Sequence, residues 1–342
     1  MKARQKLKLA IVGTESLRSK EIKSVLSTKK APVETIDFFD PDVEEEYSKL
    51  TQFRGEAKVI HHLDKDSFQD VDLVFLAADK KVNREYGILT KEKKIQAIDL
   101  SETFNMDSEV PVVVSGVNDE IILKKRPPII ANPHPVTVII SHLFQLIMQK
   151  YGLCRAVAFV LQPVSAFEDD GINELVNQSI DLLNSSSLSK KVFRDQIAFN
   201  LLSHTEHPEK DGFCPVEKQI IQEIKRVFND RKFSFSLSLI QAPVFHTYSI
   251  MSFLELRKKT DIQGLENLFK DSAFFKLYPP SSSCPVSSVS VAGKDKIFIG
   301  QIKKEESFPN SFWVWSVADN LIRGSALNAF DIAHKIFSSY LT

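Results

Sequence analysis

The chain has 342 residues, enough for two cores of ordinary size. Hydrophobic residues make up 43% and charged residues 26%, a balance that excludes a disordered or fibrous chain. Lys plus Arg equals Asp plus Glu at 44 each, so no net field directs the protein to nucleic acid or to an anionic membrane.

The opening "MKARQKLKLAIVG" predicts no signal peptide, because its basic residues lead into a short strand-like run with no cleavage site. No apolar run approaches the length of a membrane span. Strands are predicted at "KLAIVG" (8–13), "VETIDFF" (33–39), "DVDLVFLAA" (70–78), "IQAIDL" (95–100), "VPVVVSGV" (110–117) and "PPIIAN" (127–132). Several are apolar throughout, as strands covered on both faces are. Helical spacing over 16–28 and 82–94 completes an α/β pattern, a parallel sheet with right-handed crossovers. The acidic "DPDVEEEYSKL" (40–50) reads as a solvated helix or loop, and His61-His62 as surface.

After residue 132 the rhythm changes. A long helix is predicted from Val136 to Tyr151, then strand-like "RAVAFVL" (155–161) and helices near 171–186 and 216–229. "KFSFSLSLIQAPVF" (232–245) alternates strictly through Phe233, Phe235, Leu237 and Leu239, the mark of a sheet wet on one face. "YSIMSFLELRK" (248–258), "VSSVSVAG" (286–293) and "KIFIGQIKK" (296–304) extend a mostly antiparallel sheet, and one helix (318–341) closes the chain. Cys154, Cys214 and Cys284 form no CxxC pair, which predicts reduced thiols in a cytoplasmic protein.

The turn after the first strand, "GTESLRS" (13–19), is where dinucleotide-binding sheets carry glycines that let backbone approach a pyrophosphate. Gly13 is present, but Glu15, Ser16, Leu17 and Arg18 stand where a fingerprint has Gly or Ala. Ser16 and Arg18 could still meet a phosphate; the expected role of Ser16 is the N-cap of an ordinary βα turn.

"DVDLVFLAADKKVNREYG" (70–87), "AIDLSETFNMDSEVPVVVSGVN" (97–118), "ANPHP" (131–135), "GINELVNQS" (171–179), "QIAFNLLSH" (196–204) and "DNLIRGSALNA" (319–329) fall in a familiar order. From about Leu7 to the last helix the chain resembles the aspartate-semialdehyde dehydrogenase family. The resemblance implies a Rossmann-type, NAD(P)-binding-like domain over 1–132, a sheet-rich α+β dimerisation domain over 133–318, and a helix over 319–342 that returns to the first. It implies hydride transfer to NADP from an aldehyde held by a Cys thiolate, a His as proton carrier, and phosphate releasing the acyl group.

Carried over residue by residue, that chemistry lacks its parts. The family's Asn-Pro-Asn-Cys corner is Asn132-Pro133-His134-Pro135, which puts Pro135 at the thiol. In "QAPVFHTYS" (241–249), Gln241 stands for the substrate-binding Arg, Thr247 for a Gly and Tyr248 for the catalytic His. Asn105 replaces the phosphate-side Arg, and Ser165-Ala166-Phe167-Glu168 replaces Ser-Gly-Ala-Gly beside the nicotinamide. Gln162, Glu217, Lys218 and Asn320 match site-side residues of the family, as Arg323 matches the start of its closing helix. His134 is expected to cap or pack, and His246, on Tyr248's face if the strand alternates that far, to be a structural histidine that could deputise. His204-x-x-His207 with Cys214 resembles metal spacing but completes no four-ligand set, so no metal is expected.

These readings predict a catalytically inactive relative of the dehydrogenases, with no cofactor, acting as a homodimeric scaffold or as an interaction or regulatory partner of an active relative. The rival expectation is an active or altered NADP-dependent semialdehyde dehydrogenase of amino-acid biosynthesis, drawing on Tyr248, His246 and Glu217, with Gly13, Ser16, Arg18 and Asn320 on the cofactor side.

Overall fold

The computed structural model describes residues 7–43, 49–229, 233–278 and 285–338. Two compact units divide the chain: the first runs to His134 and resumes at Ser325, and the second spans Pro135–Gly324.

The first unit is a seven-stranded sheet: β1 (Leu7–Val12), β2 (Val33–Asp40), β3 (Lys49–Phe53), β4 (Glu56–His62), β5 (Leu73–Leu76), β6 (Gln96–Asp99) and β7 (Ile129–Ala131). Its order is β3-β4-β2-β1-β5-β6-β7, parallel throughout except for the β3–β4 hairpin. α1 (Leu17–Thr28), α2 (Lys80–Glu92), α3 (Glu120–Lys125) and, at the chain's end, a further helix (Leu327–Ser338) complete it. Leu9, Ile11, Val74, Phe75 and Ile98 are buried, as apolar central strands of a parallel sheet must be. Two expectations fail here. "VPVVVSGV" forms only a bridge from Val112 to Ala131, because Pro111 and the turn around Gly116 leave too few residues to pair. Lys49 and Leu50, read as part of a solvated segment, begin β3; residues 44–48 of that segment lie outside the described residues.

The second unit begins with α4 (Pro135–Lys150) and β8 (Leu153–Gln162), then α5 (Glu168–Leu183), α6 (Pro215–Val227), β9 (Ser234–Gln241), β10 (Tyr248–Leu256), α7 (Ile262–Lys270), β11 (Phe275–Leu277), α8 (Ser288–Val291), β12 (Ile297–Glu305) and β13 (Ser311–Ala318). The strands form one sheet in the order β11-β12-β13-β10-β8-β9, antiparallel at its centre and parallel at both edges. On β9, Leu237 and Leu239 are buried while Ser234 and Ser238 are exposed, so the alternation in the sequence is the alternation in the sheet. "VSSVSVAG" is not a strand: Ser287 accepts from the Ser290 amide and starts α8, burying Val291. The closing helix starts late. Ile322–Ala326 is a π-turn, and only Leu327–Ser338, labelled α9, is α-helical. Cys284 lies outside the described residues.

Candidate functional site

In the first unit, Gly13 ends β1 with φ at 83°, and a Cβ there would stand 2.4 Å from the Ala78 backbone. The chain therefore needs glycine at this point for close packing. Ser16 caps α1: its Oγ accepts from Ser19 N (3.1 Å) and donates to Ala77 O (2.8 Å). Thr14 is turned towards β2, giving its N–H (3.2 Å) and its hydroxyl (3.1 Å) to Asp40 Oδ2. Glu15 is exposed and Arg18 half-buried.

The "SETFNMD" loop of the same unit hangs on one carboxylate. Asp99 is fully buried and accepts from Ser101 N (2.9 Å), Ser101 Oγ (2.6 Å) and Phe104 N (2.9 Å). Burial pushes its carboxyl above the usual range, against the pull of those hydrogen bonds. Asn105 is buried one residue further on, and the Arg84 guanidinium reaches the loop from α2, donating to Thr103 O (2.9 Å) and lying over the Phe104 ring (5.4 Å). Asn132 bonds Asn328 (2.8 Å) and Ser325 (3.4 Å), and Asn328 also holds Val113 O and Ser115 N. These contacts explain why "ANP" and "SALNA" read as family words: they tie α9 to the sheet. His134 is buried beside them in sequence.

In the second unit, Pro135 is the first residue of α4, where its fixed φ and missing N–H suit a helix start. Its ring lies against Gly324, whose notional Cβ would be 2.7 Å from Pro135 Cβ. The residues standing for Gln, Arg and His of the family chemistry do come together. Gln162 Nε2 donates to Gln241 Oε1 (2.9 Å), Gln241 Nε2 donates to Gln162 O (3.0 Å) and Ala242 O (3.2 Å), and Tyr248 Oη donates to Gln162 Oε1 (3.2 Å). All three side chains are buried, Gln241 completely and Tyr248 to 1% exposure. The cluster is uncharged, and its members satisfy one another.

A second cluster adjoins it along the chain. Asn320 accepts from Thr247 N (2.9 Å) and donates to Ser165 Oγ (3.1 Å), which ties the loop before β10 to the turn before α5. Both loops carry non-glycine residues with positive φ: Thr247 at 77° and Glu168 at 56° with ψ −152°. Phe167 packs edge-on to Phe193 (5.1 Å) within an apolar cluster that includes Val164 and Leu175.

Other sequence-derived residues stand apart. His246 is not on β10, which begins at Tyr248; the bend at Thr247 breaks the alternation, so the shared face does not exist. Glu217 is a scaffold carboxylate, accepting from Cys214 N (2.8 Å) at the start of α6 and from Leu239 N (2.8 Å) on β9. Lys218 points away to Glu209 (2.6 Å) and Asp211 (2.9 Å), and hydrogen bonds to both raise its ammonium above the ordinary value. Cys214 is no substitute nucleophile, since burial pushes its thiol up, with the Glu217 and Glu206 carboxylates adding to the effect. His204 meets Ser203 Oγ and His207 meets Arg194 (2.8 Å each). Among the described residues no three His, Cys, Asp or Glu side chains converge as metal ligands.

Sequence reading missed three groups. Glu174 and Gln178 on α5 hold the 189–198 loop: Glu174 accepts from Lys191 N, Val192 N and Phe193 N (2.8, 2.7 and 3.1 Å), and Gln178 Oε1 from Ile197 N and Ala198 N (2.7 and 3.2 Å). Their signal was available, two polar residues four apart on the face that carries Gly171 and Leu175. His142 was legible only as a repeat position of the helix predicted over 136–151; it is buried, stacked on Phe274 (4.1 Å) with the Arg323 guanidinium over the same ring (5.5 Å).

Comparison with known proteins places these parts. Residues 8–125 match the family model "Semialdehyde dehydrogenase, NAD binding domain", and residues 143–323 match "Semialdehyde dehydrogenase, dimerisation domain". The chain belongs to the aspartate-semialdehyde dehydrogenase family. Aspartate-semialdehyde dehydrogenase of Aquifex aeolicus is 28% identical over 96% of this chain and 97% of its own length. That of Rickettsia bellii is 25% identical over 98% of this chain and 99% of its own. Among solved structures, aspartate semialdehyde dehydrogenase II from Vibrio cholerae superposes with a TM-score of 0.91 at 25% identity, covering 98% of this chain and 100% of that one. The Candida albicans enzyme, solved with NADP, shares the fold at a TM-score of 0.72 and 15% identity.

The Thr14 amide is hydrogen-bonded to Asp40 (3.2 Å). Where the resemblance puts Gly-Ala-Gly this chain carries Ala166, Phe167 and Glu168, and the Phe167 ring packs into the apolar cluster around Phe193. No helix is long and apolar enough to cross a membrane among the described residues.

Proposed function

We propose that this family member has given up covalent aldehyde chemistry and serves as a homodimeric scaffold or regulatory partner, in the cytoplasm, in its own dimer or in a mixed dimer with an active relative. The observation that carries this reading is the buried Gln162–Gln241–Tyr248 cluster. In an active site those positions would face substrate with a charge and a titratable group. Here they are neutral and spend their hydrogen bonds on each other.

The losses act at separate steps. Pro135 supplies no atom that can bond an aldehyde carbon. A glutamine at 241 makes no charged, two-pronged contact with a carboxylate. Asparagine at 105 carries no positive charge of its own to hold phosphate. Removing a nucleophile or a proton carrier costs several orders of magnitude in rate, on the order of 10³ or more, and such losses do not simply add.

Dimerisation is supported by the second unit's sheet. Phe159, Met251 and Trp315 are consecutive cross-strand partners, as are Phe253 and Trp313, and they share the face opposite the buried core. Phe159 is 46% exposed. An apolar sheet face of this kind, in a chain matching the family's dimerisation domain, is read as the contact between two copies.

A second reading, an active or altered NADP-dependent semialdehyde dehydrogenase, is favoured by the end-to-end similarity to dehydrogenases of full length. Steady-state assay of the purified protein with aspartate semialdehyde, phosphate and either NADP or NAD separates the two. Absence of reduced nucleotide above the enzyme-free blank is expected. Turnover that disappears on His134→Ala or His246→Ala would establish the dehydrogenase instead.

A further inference from the structure

We infer that the basic rim of the first unit's sheet, where β6 and β7 begin, is a docking surface for an acidic segment of a partner protein. Strands of a parallel sheet all start at one edge, and the helices that cross back end there. α2 brings Lys91 and Lys94 to that edge, and α3 brings Lys124, Lys125 and Arg126. The two turns are tied together: Gln96 Nε2 donates to Pro127 O (3.1 Å) and Ala97 N to Pro128 O (2.8 Å). All five cations are exposed, and none of them forms an ion pair with a carboxylate among the described residues. The acids nearby do not balance them. Asp70 is held by Lys8 on β1, Asp72 accepts from Lys8 N (2.9 Å), and Glu92 is a single exposed carboxylate between Lys91 and Lys93.

Cations near a helix C-terminus offset the macrodipole, but that role does not account for where these sit. Lys94 and Arg126 occupy the left-handed position that follows each helix, at φ 60° and 43°, and Lys30 does the same after α1 at 51°. Glycine is the least costly residue in that conformation, and a cation one turn earlier would serve the helix end as well. α1, α2 and α3 each carry a cation there instead. The result crowds like charges at one rim of a chain whose cations and anions balance at 44 each, so the positive field is local. Two features favour an acidic polypeptide over a phosphate-bearing partner. The helix ends here present carbonyls, not the N–H groups that seat phosphates. Leu123, 44% exposed, and Pro128, also exposed, adjoin the cations in the chain and offer apolar contact that a phosphate backbone would not use.

The test is fluorescence anisotropy of the full chain with a labelled Glu-Asp-Leu repeat peptide, its neutral Gln-Asn-Leu counterpart, single-stranded DNA and phosphatidylserine vesicles. The acidic peptide is expected to bind best, and to lose about tenfold in affinity as salt rises from about 0.05 to about 0.3 M. The deciding variant combines Lys94→Gly with Arg126→Gly. Glycine suits both torsions, so the variant is expected to melt no lower than wild type while binding the acidic peptide about tenfold more weakly. Lys94→Arg, which keeps the charge, is expected to bind as wild type does. The inference is overturned if the acidic peptide does not bind, if the neutral peptide binds equally, or if the double variant binds as tightly as wild type. Tighter binding of DNA or of vesicles overturns it as well, because the partner's class is then wrong. None of these results bears on turnover, which is read in a separate assay.

Discussion

At Glu168 the backbone holds φ 56° and ψ −152°, a region that side chains other than glycine's enter at a cost of about 1–3 kcal/mol. Thr247, β-branched and fully buried, sits at φ 77°, and its Oγ1 has no hydrogen-bond partner among the described residues. Both positions are glycines in the family pattern. The main chain takes torsions that suit glycine while carrying other side chains at both points. Glu168→Gly is therefore expected to stabilise the protein by about 1 kcal/mol, the strain relieved less the helix N-terminal benefit of the carboxylate. Urea denaturation would show this as a raised midpoint at unchanged slope.

His142 gives the residue scale a pH signature. Burial holds its imidazole well below the ordinary 6.5, and the Arg323 charge adds to the effect. The unfolded chain takes up a proton near that ordinary value and the folded one does not. Stability is thus full above about pH 6.5 and falls as pH drops below it, by at most about 1.4 kcal/mol per pH unit. Asp99, raised by burial, contributes with the opposite sign. The readout is the difference between wild type and His142→Phe, which should lose much of the decline between pH 6.5 and 5 in urea titrations.

Elements were legible where one period ran unbroken. α4 carries Val136, Ile139, Ile140, Leu143, Phe144 and Ile147 inward, and its predicted span differs from the observed one by a single residue at each end. Short runs misled, because four to eight apolar residues do not distinguish strand from turn: residues 110–117 became a bridge and 286–293 a capped helical turn. α5 offers the test at this scale. Its Glu174 carboxylate is the shared acceptor for the amides of residues 191, 192 and 193. Glu174→Ala leaves those donors without it, at about 1–3 kcal/mol for each amide that stays dry. We expect a loss of at least about 2 kcal/mol and faster proteolysis between Ser189 and Ala198, with Glu174→Gln intermediate.

For the whole molecule, the order of strands and helices carried the division into a parallel and a mostly antiparallel sheet, since a parallel sheet needs crossovers and an antiparallel one does not. β13, the strand between β10 and β12, escaped notice because Trp313 and Trp315 on one face and Val314 on the other leave no polar alternation. The candidate site was legible as residue types only; that Gln162, Gln241 and Tyr248 hold one another depends on β8, β9 and β10 lying side by side. At this scale we expect a dimer by light scattering, and a monomer when Phe159→Glu and Met251→Glu are combined. A dimer that survives both changes would locate the contact elsewhere.

The seat of Pro135 on Gly324 constrains how such a chain can change. A Cβ at 324 would stand 2.7 Å from Pro135 Cβ and 3.2 Å from its Cα, atoms that a cysteine at 135 would carry as well. The glycine is therefore demanded by the close approach of the two backbones and not by the proline ring, and a thiol placed at the head of α4 would leave that demand unchanged.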